Sequence, residues 1–461
     1  MKKLLLFSYC LLQFANSFGQ SWAPAGTGMN GNVLALYAYD SVLFAGGTFT
    51  NAGSNPANNI AQWNSTNWSA LGKGINGSVN AITSYKGKIY AGGKFDSAGG
   101  VAARNIAVWN GSSWAAVGKG VNDTVRALVV NNGNLYIGGC FDSANGLIVN
   151  YVALWNGLAW DSMAGGVNGY VYAFTTYGPN VIAGGAISTK YLYYMNYMQE
   201  WNGINWVGFG DSTTNFCSHP VYAITYFDST LFCGGKLADT SGGYESSYLT
   251  NWIGDGAFAP FASIWAEPGG PNAPVYTMAE YDSILYIGGQ FDTTYGWPTR
   301  GISSCSNDTG WSAWDTVGSG VNGTVYSLAV YNGQLYAGGA FTQYYQSINH
   351  GSKLKGYTAN HIASYKASKP TGINTVIDNK AFKVYPNPFT TTSTVSFGED
   401  SKHYLELDDI TGRKLRTIEC NTAQYSINRD GLAQGIYLLK VYDGQMKYES
   451  SLKIIVVSGK E

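Results

Sequence analysis

The run Val79-Asn80-Ala81-Ile82-Thr83-Ser84-Tyr85-Lys86-Gly87-Lys88-Ile89-Tyr90-Ala91-Gly92-Gly93 decides the fold, together with Ile106-Ala107-Val108-Trp109-Asn110-Gly111-Ser112-Ser113-Trp114 just downstream. The first stretch reads as two apolar-rich strands joined at Lys86-Gly87, the second of them ending in a Gly pair. The later stretch reads as two shorter strands about an Asn-Gly turn, each carrying a Trp. Strand-length apolar runs punctuated by Gly and Asn are what hairpins require. One unit therefore holds four strands.

The unit recurs. Its Gly pairs begin at Gly46, Gly92, Gly138, Gly184, Gly234, Gly288 and Gly338, spaced 46, 46, 46, 50, 54 and 50 residues apart. Each is preceded by a valine-led strand, from Val33, Val79, Val125, Val171, Val221, Val275 and Val325. A four-stranded unit with a period of about 40–50 residues is the signature of a β-propeller blade. The register resembles kelch repeats, where a strand ending in Gly-Gly is followed by an aromatic and a later Trp; Tyr90-Ala91-Gly92-Gly93, Trp109 and Trp114 occupy those places. The resemblance runs through residues 21–365 and implies the fold, not an activity. The fifth and sixth units depart from it. Trp252 and Trp265 stand 13 apart rather than 5, and Cys305 takes the place of a Trp. Ser21-Trp22 matches an outermost strand and Ile362-Ala363-Ser364-Tyr365 a third strand. The N-terminal strand is thus expected to complete the last blade, removing the open edges that make sheets aggregate. The Trp set is expected to pack between blades, and the Gly pairs to admit neighbouring backbone.

After Lys366 the Gly-Gly period stops and Thr, Asn and Lys increase, so 366–380 reads as a linker. Beyond it come Val384-Tyr385-Pro386-Asn387-Pro388-Phe389, a Thr411-Gly412-Arg413 turn, Leu432-Ala433-Gln434-Gly435-Ile436-Tyr437-Leu438-Leu439, and Leu452-Lys453-Ile454-Ile455-Val456. Short alternating strands point to a sandwich. These motifs resemble the type A C-terminal sorting domain of type IX secretion cargo. The resemblance implies an immunoglobulin-like β-sandwich over 381–461, read by the type IX secretion machinery as a partner. At the other end, Lys2 and Lys3 precede an apolar run from Leu4 to Leu12, with small residues at Ser17 and Gly19. Residues 1–19 read as a signal peptide. The expected fold class is all-β: a signal, a seven-bladed propeller over 20–365, a linker and the sandwich. The expected address is the outer cell surface or the medium, reached through the periplasm.

Composition excludes several functions. The 461 residues carry 27 Lys+Arg against 28 Asp+Glu, and charged residues make up 12%. Residues 20–365 hold 12 Lys+Arg against 17 Asp+Glu, too acidic for a phosphate-backbone binder, so no nucleic acid is expected. No apolar run reaches the ~18 residues of a membrane span. Cys140, Cys217, Cys233, Cys305 and Cys420 remain after the signal, an odd set without CxxC, which reads as buried small hydrophobes; a Cys217–Cys233 bridge is not deducible.

Ligand candidates lie on the face carrying the loops after each Gly pair. In the first three repeats these loops are small and polar. In the last four they carry Tyr191, Tyr193, Tyr194, Tyr197, Tyr244, Tyr248, Tyr295, Trp297, Tyr344, Tyr345 and Tyr357. Tyr191, Tyr194, Tyr244, Tyr295, Trp297, Tyr344 and Tyr345 are the candidate ligand-binding set. Exposed rings on irregular loops suit sugar or peptide recognition; alternatively the rings pack their own loops. Asn30, Asn76, Asn122, Asn168 and Asn322 recur between repeats, either as turn residues or as a ring of amides around the channel mouth.

Enzyme templates match poorly. Copper radical oxidases on kelch-like propellers need two His, two Tyr and a Cys, whereas the propeller holds only His219, His350 and His361, in two distant repeats. Ser306-Asn307-Asp308-Thr309-Gly310 resembles a lone sialidase Asp-box, with Trp314 one place late. Asp239, Glu245 and Asp292 lie on the candidate face, and paired carboxylates cleave glycosides when suitably spaced. No catalytic residue, cofactor or metal is assigned. The expected function is a secreted or surface binding and adhesion propeller for a glycan or extracellular protein. The competing expectation is a secreted glycan- or polymer-active enzyme using the same face.

Overall fold

The computed structural model describes residues 21–188, 197–208, 220–228, 230–236, 248–252, 258–260, 270–294, 296–305, 314–348 and 353–367, and further on 383–385, 387, 389–397, 401–409, 413–444 and 448–456. The expected signal peptide, and the expected linker beyond Ala367, lie outside them. The chain divides into two compact units, Met1–Ser368 and Lys369–Glu461.

Among the described residues, the first unit holds seven four-stranded antiparallel sheets. The second is typical: Ser78–Tyr85, Lys88–Lys94, Ile106–Trp109 and Trp114–Ala116, paired in chain order. The hairpin between its first two strands turns at Lys86-Gly87, with φ of 49° and 72°. Asn132-Gly133 and Asn332-Gly333 repeat it in other sheets. Two consecutive positive φ values give the turn whose twist matches the strands it joins. In the Asn-Gly turn, Asn110 Oδ1 accepts the backbone N–H groups of Ser112 and Ser113, so the side chain itself fixes the loop.

The Gly pair is explained by two close approaches. A Cβ on Gly92 would stand 2.4 Å from Val125 Cγ1, the lead valine of the next sheet. A Cβ on Gly93 would stand 1.9 Å from the Ser78 carbonyl within its own sheet. The first glycine seats the neighbouring sheet, and the second lets the innermost strand bulge. That bulge is present in all seven sheets: Val79 pairs with Gly93 and Ala81 with Gly92, leaving Asn80 as the extra residue. A bulge re-aims one side chain, and here it does so once per repeat.

The seventh sheet runs Ser21–Pro24, Ile362–Lys366, Gln334–Gly339, Val325–Tyr331, with Trp22 opposite Tyr365. It joins the two ends of the unit. Val325–Tyr331 packs against Val33–Tyr39 of the first sheet, and Gly338 meets Val33 as Gly92 meets Val125. The ring of sheets is closed. Val33, Leu36, Tyr331, Tyr336 and Ile362 share one buried core across the junction. Tryptophans fasten the outer rim. Trp68 Nε1 donates to the Ala25 carbonyl at 2.9 Å, Trp114 Nε1 to that of Leu71 at 2.8 Å, and Trp22 Nε1 to that of Val317 at 2.9 Å. Each carbonyl lies just past the outermost strand of the preceding sheet. These three indoles are packing groups.

The irregular units resolve by register. In the fifth sheet Trp252 pairs with Phe258, as Trp63 pairs with Trp68, so Phe258 and not Trp265 holds the second aromatic position. In the sixth, Cys305 pairs with Trp314, and burial pushes the Cys305 thiol up to about 12. The loops after the Gly pairs are not irregular where described. Five sheets carry a small hairpin there, such as Ser97–Ala98 with Val101–Ala102 and Thr293–Thr294 with Trp297–Pro298.

In the second unit, a three-stranded sheet (Lys383–Tyr385, Thr392–Ser396, Gln424–Asn428) and a four-stranded sheet (Lys414–Cys420, His403–Asp409, Gly435–Tyr442, Tyr448–Val456) share one core. Phe389, Val395, Leu405, Leu407, Ile427 and Leu439 fill it.

Candidate functional site at the mouth of the central cavity

The seven bulge residues converge. Leu34, Asn80, Arg126, Tyr172, Tyr222, Tyr276 and Tyr326, one from each sheet, line a central cavity of about 510 Å³. A second cavity of about 240 Å³ adjoins it, lined by the following residues such as Leu36, Ile82, Leu128 and Phe174. The bulge sits at the strand end that faces the Gly pair, so the seven side chains lie at the end of the ring that carries the long loops.

Their chemistry is lopsided. Tyr172, Tyr222, Tyr276 and Tyr326 form one continuous arc, with neighbouring ring centroids 5.4, 5.3 and 5.7 Å apart. Burial raises the Tyr172 and Tyr276 phenols above their ordinary range, the Arg126 charge opposing the rise at Tyr172, so both are neutral hydroxyls at physiological pH. Tyr276 Oη donates to Gln290 Oε1 at 3.3 Å, whereas Tyr172, Tyr222 and Tyr326 have no hydrogen bond to another described residue through their hydroxyls. Arg126 closes the arc, its guanidinium 5.4 Å from the Tyr172 ring centroid. Its Nε donates to Cys140 Sγ at 3.4 Å, and among the described residues it has no ion-pair partner. Asn80, also in the cavity lining, donates from Nδ2 to the Val125 carbonyl at 3.0 Å. A cavity wall of flat rings with a few convergent polar groups is the usual form of a small-ligand site.

This set was not singled out in the sequence. The signal was there: the residue after each lead valine reads Leu, Asn, Arg, Tyr, Tyr, Tyr, Tyr. Its place at the cavity is legible only once the closed ring brings the seven innermost strands together.

Of the sequence candidates, Tyr191, Tyr194, Tyr244 and Tyr295 lie outside the described residues, as do Tyr193, Asp239, Glu245, His219 and His350. Trp297 is 64% exposed on its hairpin. Tyr345 is half-buried, with the Arg300 guanidinium 5.7 Å from its ring centroid. Tyr344 departs from expectation: it is 6% exposed and stacked on Tyr357 at 5.5 Å, a packing ring of its own hairpin. Tyr197 and Tyr248 also pack against cores. Asp292 accepts from Asn272 Nδ2 at 2.6 Å.

That last contact explains the recurrent asparagines. Asn122 Oδ1 accepts the backbone N–H groups of Asp142 and Ser143 at 3.2 and 3.0 Å, while Nδ2 donates to Asp142 Oδ1 at 2.7 Å. Asn30, Asn76, Asn272 and Asn322 bind their own loops in the same way. Asn168 reaches Ser188. These amides clamp each turn between sheets to the loop after the Gly pair. Asn272 belongs to the series although Pro271 and Ala273 disguise its turn.

These sheets define an all-β, propeller-like protein followed by a smaller β unit. Residues 383–457 match the secretion system C-terminal sorting domain family. The chain is therefore cargo of the type IX secretion system, exported to the cell surface or secreted, and its tail engages that machinery. No helix among the described residues is long and apolar enough to cross a membrane. No curated protein matches the chain. Solved structures resemble it distantly. The WD40 β-propeller domain of Doa1 is 12% identical, with 75% of this chain and 96% of that one covered at a TM-score of 0.43. A fungal alcohol oxidase of the AA5 family, in complex with copper, is 10% identical, with 95% and 99% covered at 0.42. PorZ, a surface component of the type IX secretion system of Porphyromonas gingivalis, is 14% identical, with 92% and 75% covered at 0.24.

Proposed function

We propose that the chain is a secreted or surface-displayed binding protein, a kelch-like seven-bladed propeller over residues 20–365 delivered by an immunoglobulin-like sorting sandwich at 381–461. Its binding face is the long-loop face, over the fourth to seventh blades, and its ligand is a glycan or an extracellular protein. One observation carries the reading. The tyrosine arc, Tyr172 to Tyr326, occupies the same four repeats whose outer loops are rich in aromatics, and it opens toward the same end. Packing accounts for Tyr197, Tyr248, Tyr344 and Tyr357, but not for the exposed Trp297 or for four adjacent tyrosines lining one side of the cavity where Leu34 and Asn80 suffice opposite. Export supports the reading, since a propeller sent outside the cell meets polymers and surfaces rather than metabolites.

The test is an array of glycans and matrix proteins probed with the mature full chain, followed by mass spectrometry of the retained ligands. Retention of an unaltered ligand supports a binding protein. Shortened or modified products support the glycan-active alternative. Failure to retain anything rejects the binding reading.

A further inference from the structure

The cavity mouth has a property that neither the fold nor the sorting tail requires: three of its four phenol hydroxyls have no hydrogen bond to another described residue, and its one charged lining group is a cation. Arg126 presents its guanidinium fork without a carboxylate partner among the described residues, and it is one of only three arginines in residues 20–365. In two repeats the residue after the Gly pair contacts the bulge residue, Cys140 with Arg126 and Gln290 with Tyr276. In the second and fifth repeats that place belongs to Lys94 and Lys236, both exposed. Of the acidic groups at this end, Asp96, Asp142 and Asp292 accept from the amides of Asn76, Asn122 and Asn272, and Asp123 is held below its ordinary range by the Thr124 backbone N–H, with Lys94 and Arg126 adding to the effect. Asp123 is thus committed to its own turn. Among the residues lining the cavity, the one charged side chain is the Arg126 guanidinium.

Flat rings, three available phenol hydroxyls and a guanidinium fork call for a ligand that is both ring-shaped and polyhydroxylated, with an anionic group at one edge. An apolar peptide side chain would leave those hydroxyls unpaired, which costs affinity. A carboxylate meets Arg in a two-bonded fork that a neutral hydroxyl cannot copy. The volume of about 510 Å³ lies within the ~300–1,000 Å³ of small-ligand sites. We propose that the mouth binds a carboxylate-bearing sugar unit, its ring against Tyr222 and Tyr276 and its carboxylate on Arg126. This rests on the binding reading above and names the ligand class for its face.

The test titrates the mature full chain calorimetrically with trigalacturonate, a hyaluronan tetrasaccharide, cellotriose and a Glu-terminated tripeptide. At least one acidic sugar should bind at least ~10-fold more tightly than cellotriose, as a charge-assisted pair requires. Arg126→Gln should remove that preference, and Arg126→Lys should restore only part of it. Tyr222→Ala should weaken acidic and neutral sugars alike by ~10-fold or more, in line with ring stacking. Tyr222→Phe serves in its place if the alanine variant unfolds, and should cost less than the truncation. Equal binding of cellotriose, unchanged binding in Arg126→Gln, or binding of the tripeptide alone would overturn the assignment. So would no binding of any acidic sugar. If the array still retains a ligand in those cases, only the sugar-acid assignment fails; an empty array rejects the binding reading as well.

Discussion

Replacing Trp22 with Ala tests how the ring is held shut. The indole is 2% exposed, its centroid lies 5.2 Å from that of Tyr365, and its N–H is spent on the Val317 carbonyl. Truncating a buried Trp to Ala costs about 3–5 kcal/mol through lost burial and the cavity left behind. The orphaned carbonyl falls within the upper part of that range. Trp22→Phe keeps a ring against Tyr365 but drops the hydrogen bond, so about 1–2 kcal/mol is expected. Trp297→Ala, at an exposed position, is the control and should stay within about 0.5 kcal/mol. The assay is urea unfolding followed by far-ultraviolet circular dichroism. Because Ser21–Pro24 is the outermost strand of a sheet made from both chain ends, its loss should lower the midpoint of the whole propeller transition. A Trp22→Ala midpoint shift worth less than 1 kcal/mol would refute closure by this strand. So would a loss confined to fraying of residues 21–24 seen by proteolysis.

Deleting residues 381–461 should leave the propeller folded and trapped in the periplasm; normal surface display of the truncated protein, measured by cell fractionation, would contradict the sorting assignment. Tyr194→Ala combined with Trp297→Ala should weaken binding of any array-identified ligand roughly 30-fold, as the loss of two stacking anchors implies; unchanged affinity would confine the site to the cavity mouth. Asn122→Asp places a carboxylate beside Asp142 where an amide donated, so the melting temperature should fall at pH 7 and recover as the pH approaches 4. In the C-terminal unit, Lys414 and Lys440 hold the Glu406 carboxyl below its ordinary range by hydrogen bonding. A depressed carboxyl stabilises the fold above its unfolded pKa of about 4.3, and that contribution disappears as pH falls through the folded value. Glu406→Gln should therefore flatten the acid limb of the unit's stability profile.

The fold was legible because its determinants are local and repeated. Gly46 through Gly338 mark the same close approach seven times, and Trp22 and Ile362 declare complementary strand positions at opposite ends. Phe258 was missed because Trp265 offered a more familiar residue, although 13 places on rather than 5; only the pairing with Trp252 sets the register. The candidate site was half legible. Loop aromatics announce themselves by composition, but composition cannot separate Trp297, which faces solvent, from Tyr344, which stacks on Tyr357. The cavity residues Asn80, Arg126 and Tyr172 to Tyr326 become one set only when the closed ring brings the seven innermost strands together, and alternation within a single strand does not reveal that.

The most direct test of a binding propeller with its site at the cavity mouth is a crystal structure of the mature chain with the ligand that the array returns. The account predicts ligand density against the Tyr172–Tyr326 arc, within hydrogen-bonding reach of Arg126. Density on the outer edges of the sheets, or on the face bearing the Lys86-Gly87 hairpin turns, would contradict it.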